Sequence, residues 1–305
     1  MDKRHFFIFF SAFFIVVFFI IFILCHKSQT LGSVSIYEMG EVSIDNQVNF
    51  STAIKSSQSF NNSLKSIYAI DKKTGITNDL FDINVMSKAN LHIKKEGNGP
   101  KILIFHTHGS ELYADSKNIN EGVIGVGEHL KAMIEDKYGI ECIHLTGRFD
   151  MVNGKLQRNG AYERAEPVVR QILKENPSIE LVIDLHRDGV NNNLRLVTNI
   201  DGKNYAKIMF FNGICKKWDN GKLVDIPDLV NPYVKTNLAL SYQMFQQVYG
   251  FNGNLPRKIY INAYRYSLHM MDKSMLIELG AQTNTYEEAL NSIEVVGEAL
   301  GKVCF

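Results

Sequence analysis

The chain has 305 residues, with 33 Lys and Arg against 32 Asp and Glu and a formal net charge of +1 at pH 7. That length holds one domain of about 200 residues plus something else, and the even charge balance gives no case for a nucleic-acid partner. The four cysteines, Cys25, Cys142, Cys215 and Cys304, form no close pair, which argues against a disulfide framework and a Cys-ligated zinc site.

Phe6 to Cys25 is a run of twenty residues in which Ser11 is the only polar member. At about 1.5 Å per residue a helix of that length spans about 30 Å, the thickness of bilayer hydrocarbon. Lys3 and Arg4 precede it, while only His26 and Lys27 follow closely. The positive-inside rule then predicts a short cytoplasmic tail and an anchor over residues 1–27, with the rest of the chain outside. A cleaved signal peptide is the competing reading, but the run exceeds the roughly 7 to 15 residues of such a core and no small-residue cleavage site follows. Lipid attachment at Cys25 is disfavoured because Phe22-Ile-Leu supplies no small residue before the cysteine.

Residues 28–97 are rich in Ser, Asn, Lys and Asp, with short apolar islands such as Ser66-Ile-Tyr-Ala-Ile70. They are read as an extracytoplasmic stalk that gives reach. Glu96-Gly-Asn-Gly-Pro100 punctuates the entry into a catalytic domain expected over 98–305. The pattern then alternates. A strand ends at Phe105, a helix runs near Val123 to Tyr138, and a strand covers Ile140 to Leu145. A helix at Gly160 to Glu175 follows, and then the strand beginning at Leu181. Leu194 to Ile200 and Tyr205 to Phe211 read as two extended runs joined at Asp201-Gly202. A helix near Val230 to Tyr249, an extended Lys258 to Ile261, a strand to Glu278 and a helix from Thr285 complete the chain. This alternation predicts α/β with a mostly parallel sheet flanked by helices.

Three strand ends carry the chemistry. Ile102-Leu-Ile-Phe runs directly into His106-Thr-His108-Gly-Ser-Glu111, Leu181-Val-Ile-Asp-Leu reaches His186, and Met275-Leu-Ile ends on Glu278. A catalytic zinc takes three protein ligands and a water, and strand ends hold ligands more rigidly than loops. His108 and His186 are the first two candidate ligands. The third is a carboxylate, with Glu121 at a helix entry preferred over Glu111 in the same loop as His108. His106 is either a neighbour of the ligands or takes the place of His108. Asp184 is placed to orient a ligand from behind or to make a structural hydrogen bond. Glu278 is the candidate general base, its alternative being an ion pair with Arg257 or Arg265. Arg187, Arg257 and Arg265 are candidate anchors for substrate carboxylates.

At these motifs the chain closely resembles the stage II sporulation protein P family of membrane-anchored peptidoglycan amidases. The resemblance is carried by IFHTHGSE at 104–111, VGEHLKAMIEDKYGI at 126–140, IDLHRDG at 183–189, RYSLHM at 265–270 and LIELGAQTNTYEEA at 276–289. It implies a branch of the zinc N-acetylmuramoyl-L-alanine amidases, with a three-layer α/β domain similar to that of zinc exopeptidases. It further implies zinc on His108, Glu121 and His186, since Gly109 follows His108 as in those amidases, and Glu278 as the catalytic glutamate of a Leu-x-Glu-x-Gly stretch. His106-Thr stands where the amidases have Pro-Gly, which keeps His106 and Glu111 in contention. The activity implied is hydrolysis of the bond between N-acetylmuramic acid and L-alanine during engulfment in sporulation, by a single-pass membrane protein facing the septal wall. A lytic transglycosylase and a membrane scaffold protein are the implied partners. A zinc carboxypeptidase or endopeptidase acting on the stem peptide is the rival enzyme, and a non-catalytic wall-binding scaffold is the rival of another class.

Overall fold

A computed structural model describes residues 64–305, which fall within one unit running from Phe50 to Phe305. The membrane segment expected at Phe6–Cys25 lies outside the described residues. Among those described, no helix is long and apolar enough to cross a membrane.

In chain order the elements are β1 (Tyr68–Ile70), α1 (Ile83–Lys88), β2 (Ile102–Phe105), α2 (Val123–Tyr138) and β3 (Cys142–Leu145). A small hairpin of β4 (Met151–Val152) and β5 (Lys155–Leu156) leads to α3 (Ala161–Glu175) and β6 (Leu181–Asp188). The hairpin β7 (Val197–Ile200) and β8 (Lys203–Ala206) is followed by β9 (Ile208–Gly213) and a second hairpin, β10 (Lys216–Asp219) and β11 (Lys222–Asp225). Last come α4 (Val234–Phe251), β12 (Ile259–Asn262), β13 (Ser274–Ala281) and α5 (Tyr286–Val303).

Local chemistry explains where the helices start and stop. α2 ends on Gly139, whose φ of 66° lets its N–H reach the Glu135 carbonyl. α5 opens with a capping box, in which the Thr285 hydroxyl accepts from the Glu288 N–H and the Glu288 carboxylate accepts from the Thr285 N–H.

Seven strands form the sheet in the order β1-β12-β9-β13-β6-β2-β3. Every neighbouring pair is parallel except β9 with β13. The sheet is therefore mostly parallel, as the alternation predicted, but it consists of two blocks running in opposite directions. The main core lies on one face, where side chains of α2, α4 and α5 meet Ile104, Ile183, Phe210, Ile261 and Ile277. On the other face Ala165 and Val169 of α3 pack on Leu103, Phe105 and Val182. Helices thus flank the sheet on both sides.

The stalk expected over 28–97 is corrected from residue 64 onward. β1 completes the edge of the sheet, Tyr68 pairing with Ile259. Phe81, Ile83, Met86, Leu91 and Ile93 are buried in the main core, and the Ile93 N–H bonds the Cys304 carbonyl at 2.9 Å. Gln243 of α4 donates to the carbonyls of Met86 and Ala89. Apolar side chains scattered singly among polar ones give no periodicity to read, yet burying each one stabilises by about 1.5–3 kcal/mol.

Candidate active site

His108, His186 and Glu278 come together although 170 residues separate the first from the last. The register explains how. His186 of β6 is the ladder partner of Glu278 on β13, and partners across a ladder project from the same face. The rings of His108 and His186 stand 5.3 Å apart, close to edge-on at 75°.

Around His186 the charges are arranged tightly. Its Nε2 lies 2.7 Å from Asp184 Oδ1, and its Nδ1 lies 3.5 Å from Glu111 Oε2. Burial works against a charged ring, but Asp184 and then Glu111 outweigh it and hold the pKa of His186 well above the usual imidazole value. Burial alone would raise Glu111, but His186 and Arg187 prevail and bring its carboxyl down to about 2. For His108, burial and then the charge of His186 push the ring down to about 4. His108 is therefore a neutral imidazole at pH 7, the form that ligates metal. Burial pushes Glu278 up to about 8, against the pull of His186.

Asp184 is the post behind this arrangement. Its two oxygens accept from the Thr107 N–H at 2.9 Å, the Thr107 hydroxyl at 2.7 Å and the Ser267 hydroxyl at 2.7 Å. Thr107, Ser267 and Tyr162 were not foreseen as part of the site, although RYSLHM contains Ser267. Tyr162, in the first turn of α3, sets its ring 5.7 Å from that of His108. Arg158 was also missed. Its Nη1 lies 3.0 Å from Glu111 Oε1 while the side chain stays 44% exposed.

Of the two loop acids, the structure sets Glu111 and not Glu121 beside His186. Glu111 is 2% exposed beside His186, whereas the Glu121 carboxylate accepts from the Lys117 N–H at 2.8 Å within its own turn. An antiparallel bridge between Leu112 and Gly122 closes this loop, and the Val123 N–H bonds the Glu111 carbonyl. Loop closure turns Glu111 inward, and no helical or strand period reveals that.

His106 stands apart from His108. It is fully buried against α2, with Nδ1 2.8 Å from the Leu185 carbonyl and Nε2 2.9 Å from His144 Nε2. The three candidate arginine anchors are likewise engaged by the protein itself. Arg257 pairs with Asp188 at 2.6 Å, Arg265 pairs with Glu166 at 3.0 Å, and Arg187 donates to the carbonyls of Leu112 and Asp188. Glu278 consequently pairs with neither Arg257 nor Arg265. A cavity of about 530 Å³ elsewhere, lined by His129, Met133, Phe251 and Glu294 among others, belongs to the opposite, α2–α5 face.

The donors suit a zinc ion in kind: two imidazoles and a carboxylate, with a second acid beside them. In the site, His108 Nδ1, His186 Nε2 and Glu278 Oε2 are buried with no well-aligned hydrogen-bond partner, the state of groups built to meet something else. Among the described residues no three His, Cys, Asp or Glu side chains are already gathered to hold a metal. His186 is instead turned between Asp184 and Glu111, whose charges favour its protonated form over the neutral one that ligates metal.

The family model for stage II sporulation protein P (SpoIIP) matches residues 27–301. Stage II sporulation protein P of Bacillus subtilis (strain 168) is 26% identical over 226 residues, covering 68% of this chain and 53% of that protein. The chain thus spans about half the length of the curated relative it matches. Among solved structures, N-acetylmuramoyl-L-alanine amidase AmiC2 of Nostoc punctiforme superposes with a TM-score of 0.39 and 14% identity, over 68% of this chain and 98% of that one. The CwlD amidase of Clostridioides difficile, in complex with the GerS lipoprotein, gives a TM-score of 0.41 and 16% identity over 67% and 98%.

Proposed function

The chain belongs to the stage II sporulation protein P family, and from that premise we propose that it is a zinc-dependent N-acetylmuramoyl-L-alanine amidase that releases stem peptides from peptidoglycan. The observation that carries the reading is the pairing of Glu278, a partly buried acid whose enclosed Oε2 has no partner, with His186 across the β13–β6 ladder and beside the neutral His108.

In this reading His108, His186 and Glu111 hold the metal. When bound, zinc would supply Lewis acidity, polarising the scissile carbonyl and making water a better nucleophile. The remaining work falls to the protein. Asp184 stands 2.7 Å from His186 Nε2 as its counter-charge, and is itself fixed by Thr107 and Ser267. Glu278 accepts the proton of the attacking water and returns it to the leaving L-alanine nitrogen. A carboxyl held near pH 8 by burial is suited to both steps, because transfer in either direction costs little. The Arg158 guanidinium pairs with Glu111 but stays 44% exposed, and the part left in solvent would meet a carboxylate of the stem peptide.

An anchor at Phe6–Cys25 would confine the enzyme to the membrane surface next to the wall and raise its effective concentration there. Action during engulfment, beside a lytic transglycosylase and a membrane scaffold protein, goes with that placement.

The test is incubation of purified sacculi with the wild-type chain and with Glu278→Gln, followed by mass analysis of the products. Intact stem peptides freed from peptide-less glycan, by the wild type alone, are expected. Shortened peptides still attached to sugar would instead identify a carboxypeptidase or endopeptidase.

A further inference from the structure

One row of ladder partners crosses the sheet from the site to its far edge. Phe105 pairs with Asp184, Asp184 with Leu276, Leu276 with Phe211, Phe211 with Tyr260 and Tyr260 with Ala69. All six project from the face that bears His186 and Glu278. Over β2 and β6 this face is covered by α3. Over β9, β12 and β1 no helix among the described residues covers it, and α4 packs on the opposite face. The contrast shows within β9 itself: Phe210 is fully buried, while its neighbour Phe211 keeps part of its ring in solvent.

The partly exposed rings on this side are continuous with the site. From His108 the contacts run to Tyr162 at 5.7 Å, to Tyr266 at 5.5 Å, to Phe211 at 4.6 Å and to Tyr260 at 5.2 Å between centroids. Tyr260 Oη then donates to Asp71 Oδ2 at 2.8 Å. Tyr266 holds its place in this chain with a φ of 52°, a conformation that is costly for an aromatic residue. Gly213 makes the approach possible, because a Cβ there would stand 1.9 Å from the Tyr264 carbonyl oxygen and 2.9 Å from the Tyr266 ring. Backbone strain and a glycine are thus both committed to laying one more ring along an open sheet face.

We propose that the lane formed by Tyr162, Tyr266, Phe211 and Tyr260 seats the glycan strand of the substrate, with the apolar faces of successive N-acetylated pyranose rings lying on it. This deepens the amidase reading and rests on it for the identity of the polymer. The chemistry divides the substrate between two sides. The stem peptide is anionic, and Arg158 pairs with Glu111 in the loop that follows β2. The glycan backbone is uncharged in its sugars, carries many hydroxyls and presents flat C–H faces. The three tyrosines join an apolar ring to a polar tip and Phe211 adds an apolar face, which suits such a ligand, and the lane leads from the site toward the β1 edge. The four rings are each partly buried and partly in solvent, and an aromatic patch continuous with a reactive centre is the kind that marks a binding groove.

The experiment uses the full chain carrying Glu278→Gln, so that nothing is consumed, titrated with a soluble hexamer of β-1,4-linked N-acetylglucosamine that has no peptide. Saturable binding is expected, and Tyr260→Ala should weaken it about fivefold or more while Tyr260→Phe, which keeps the ring, restores it. Phe211→Leu, which preserves apolar volume in case Phe211→Ala unfolds, should weaken it as well. No binding of the hexamer, or equal binding by the Tyr260→Ala and Phe211→Leu proteins once circular dichroism has verified their folding, overturns the proposal. Peptide release from sacculi by the wild type is scored separately. Ring-dependent hexamer binding without that release leaves the lane standing and removes the amidase reading, and the converse removes only the lane.

Discussion

Asp184 Oδ1 lies 2.7 Å from His186 Nε2, and both side chains are almost wholly removed from solvent. Removing one partner leaves the other a buried charge without its counterion. Asp184→Ala is therefore expected to destabilise the fold by about 3–5 kcal/mol in urea denaturation, and to abolish hydrolysis. The pH window follows from the two directions. Burial opposes the Asp184 charge, but His186 and the hydrogen bonds from Thr107 and Ser267 hold its pKa below the ordinary value, so its contribution is lost as pH falls through that lowered value. The raised pKa of His186 makes its contribution complete below the usual imidazole pKa and lost as pH climbs through the folded value. The penalty of Asp184→Ala should thus be greatest between these limits and shrink on either side.

Glu278 has the opposite character. Its carboxyl titrates near about 8 in the metal-free fold against a usual 4.5, so the unfolded chain gives up this proton first. The protein loses stability on this account as pH rises from 4.5 to about 8, and the loss levels off above that. Glu278→Gln should therefore stabilise the metal-free protein at pH 9 by an amount on the order of a few kcal/mol, read as a higher melting temperature, and change it little at pH 4. Activity on sacculi should vanish in the same variant. An equal melting temperature at pH 9 would mean that Glu278 is not buried as a neutral acid.

Metal analysis separates the two loop acids. Elemental analysis of Glu111→Gln is expected to find zinc affinity reduced at least about tenfold, while Glu121→Gln, whose carboxylate is engaged by the Lys117 N–H, keeps full occupancy. Affinity should rise with pH, because His186 must give up its proton before it can ligate. Calorimetry in buffers of different ionisation enthalpy would detect that proton as it leaves. Loss of zinc on Glu121→Gln alone would restore the assignment preferred from the sequence.

Gly127 sits in α2 directly under the His106–His144 pair, and a Cβ at that position would stand 2.7 Å from His144 Nε2 and 2.8 Å from His106 Cε1. Glycine to alanine inside a helix normally stabilises by about 0.8–1.0 kcal/mol. Here the sign should reverse, with Gly127→Ala lowering stability by about 1–3 kcal/mol through overpacking against two rings. Thermal denaturation beside Gly250→Ala, where a Cβ would meet open space, gives the control.

Truncation tests the N-terminal boundary. A chain beginning at residue 98 loses β1 and the buried side chains Phe81, Ile83, Met86, Leu91 and Ile93. It should lack a cooperative unfolding transition, whereas the intact chain shows one. A sharp transition in the 98–305 fragment would return residues 64–97 to the role of a stalk.

Much of the sheet was legible because its strands are buried on both faces and read as apolar runs, as in Ile102–Phe105 and Leu181–Ile183. α2 and α5 were equally plain, since Gly139 and the Thr285 box punctuate their ends. β1 and α1 were not, because a three-residue strand and a six-residue helix are too short to show a period. The paired runs around Asp201-Gly202 resolved into β7 and β8 as a hairpin, but the second run divides at Lys207 into β8 and β9. Lys207 bonds the Leu196 carbonyl through its N–H, and the chain there leaves the hairpin for the sheet.

The sequence by itself determined the alternating architecture and the donor types, since apolar periodicity and a histidine at a strand end are local properties of the chain. Tertiary structure alone decided which of two loop acids turns inward, which histidine of His106 and His108 meets His186, and what the arginines pair with. Those outcomes depend on strand register and loop closure between residues far apart in the chain, and no local pattern of residues encodes a distance between them.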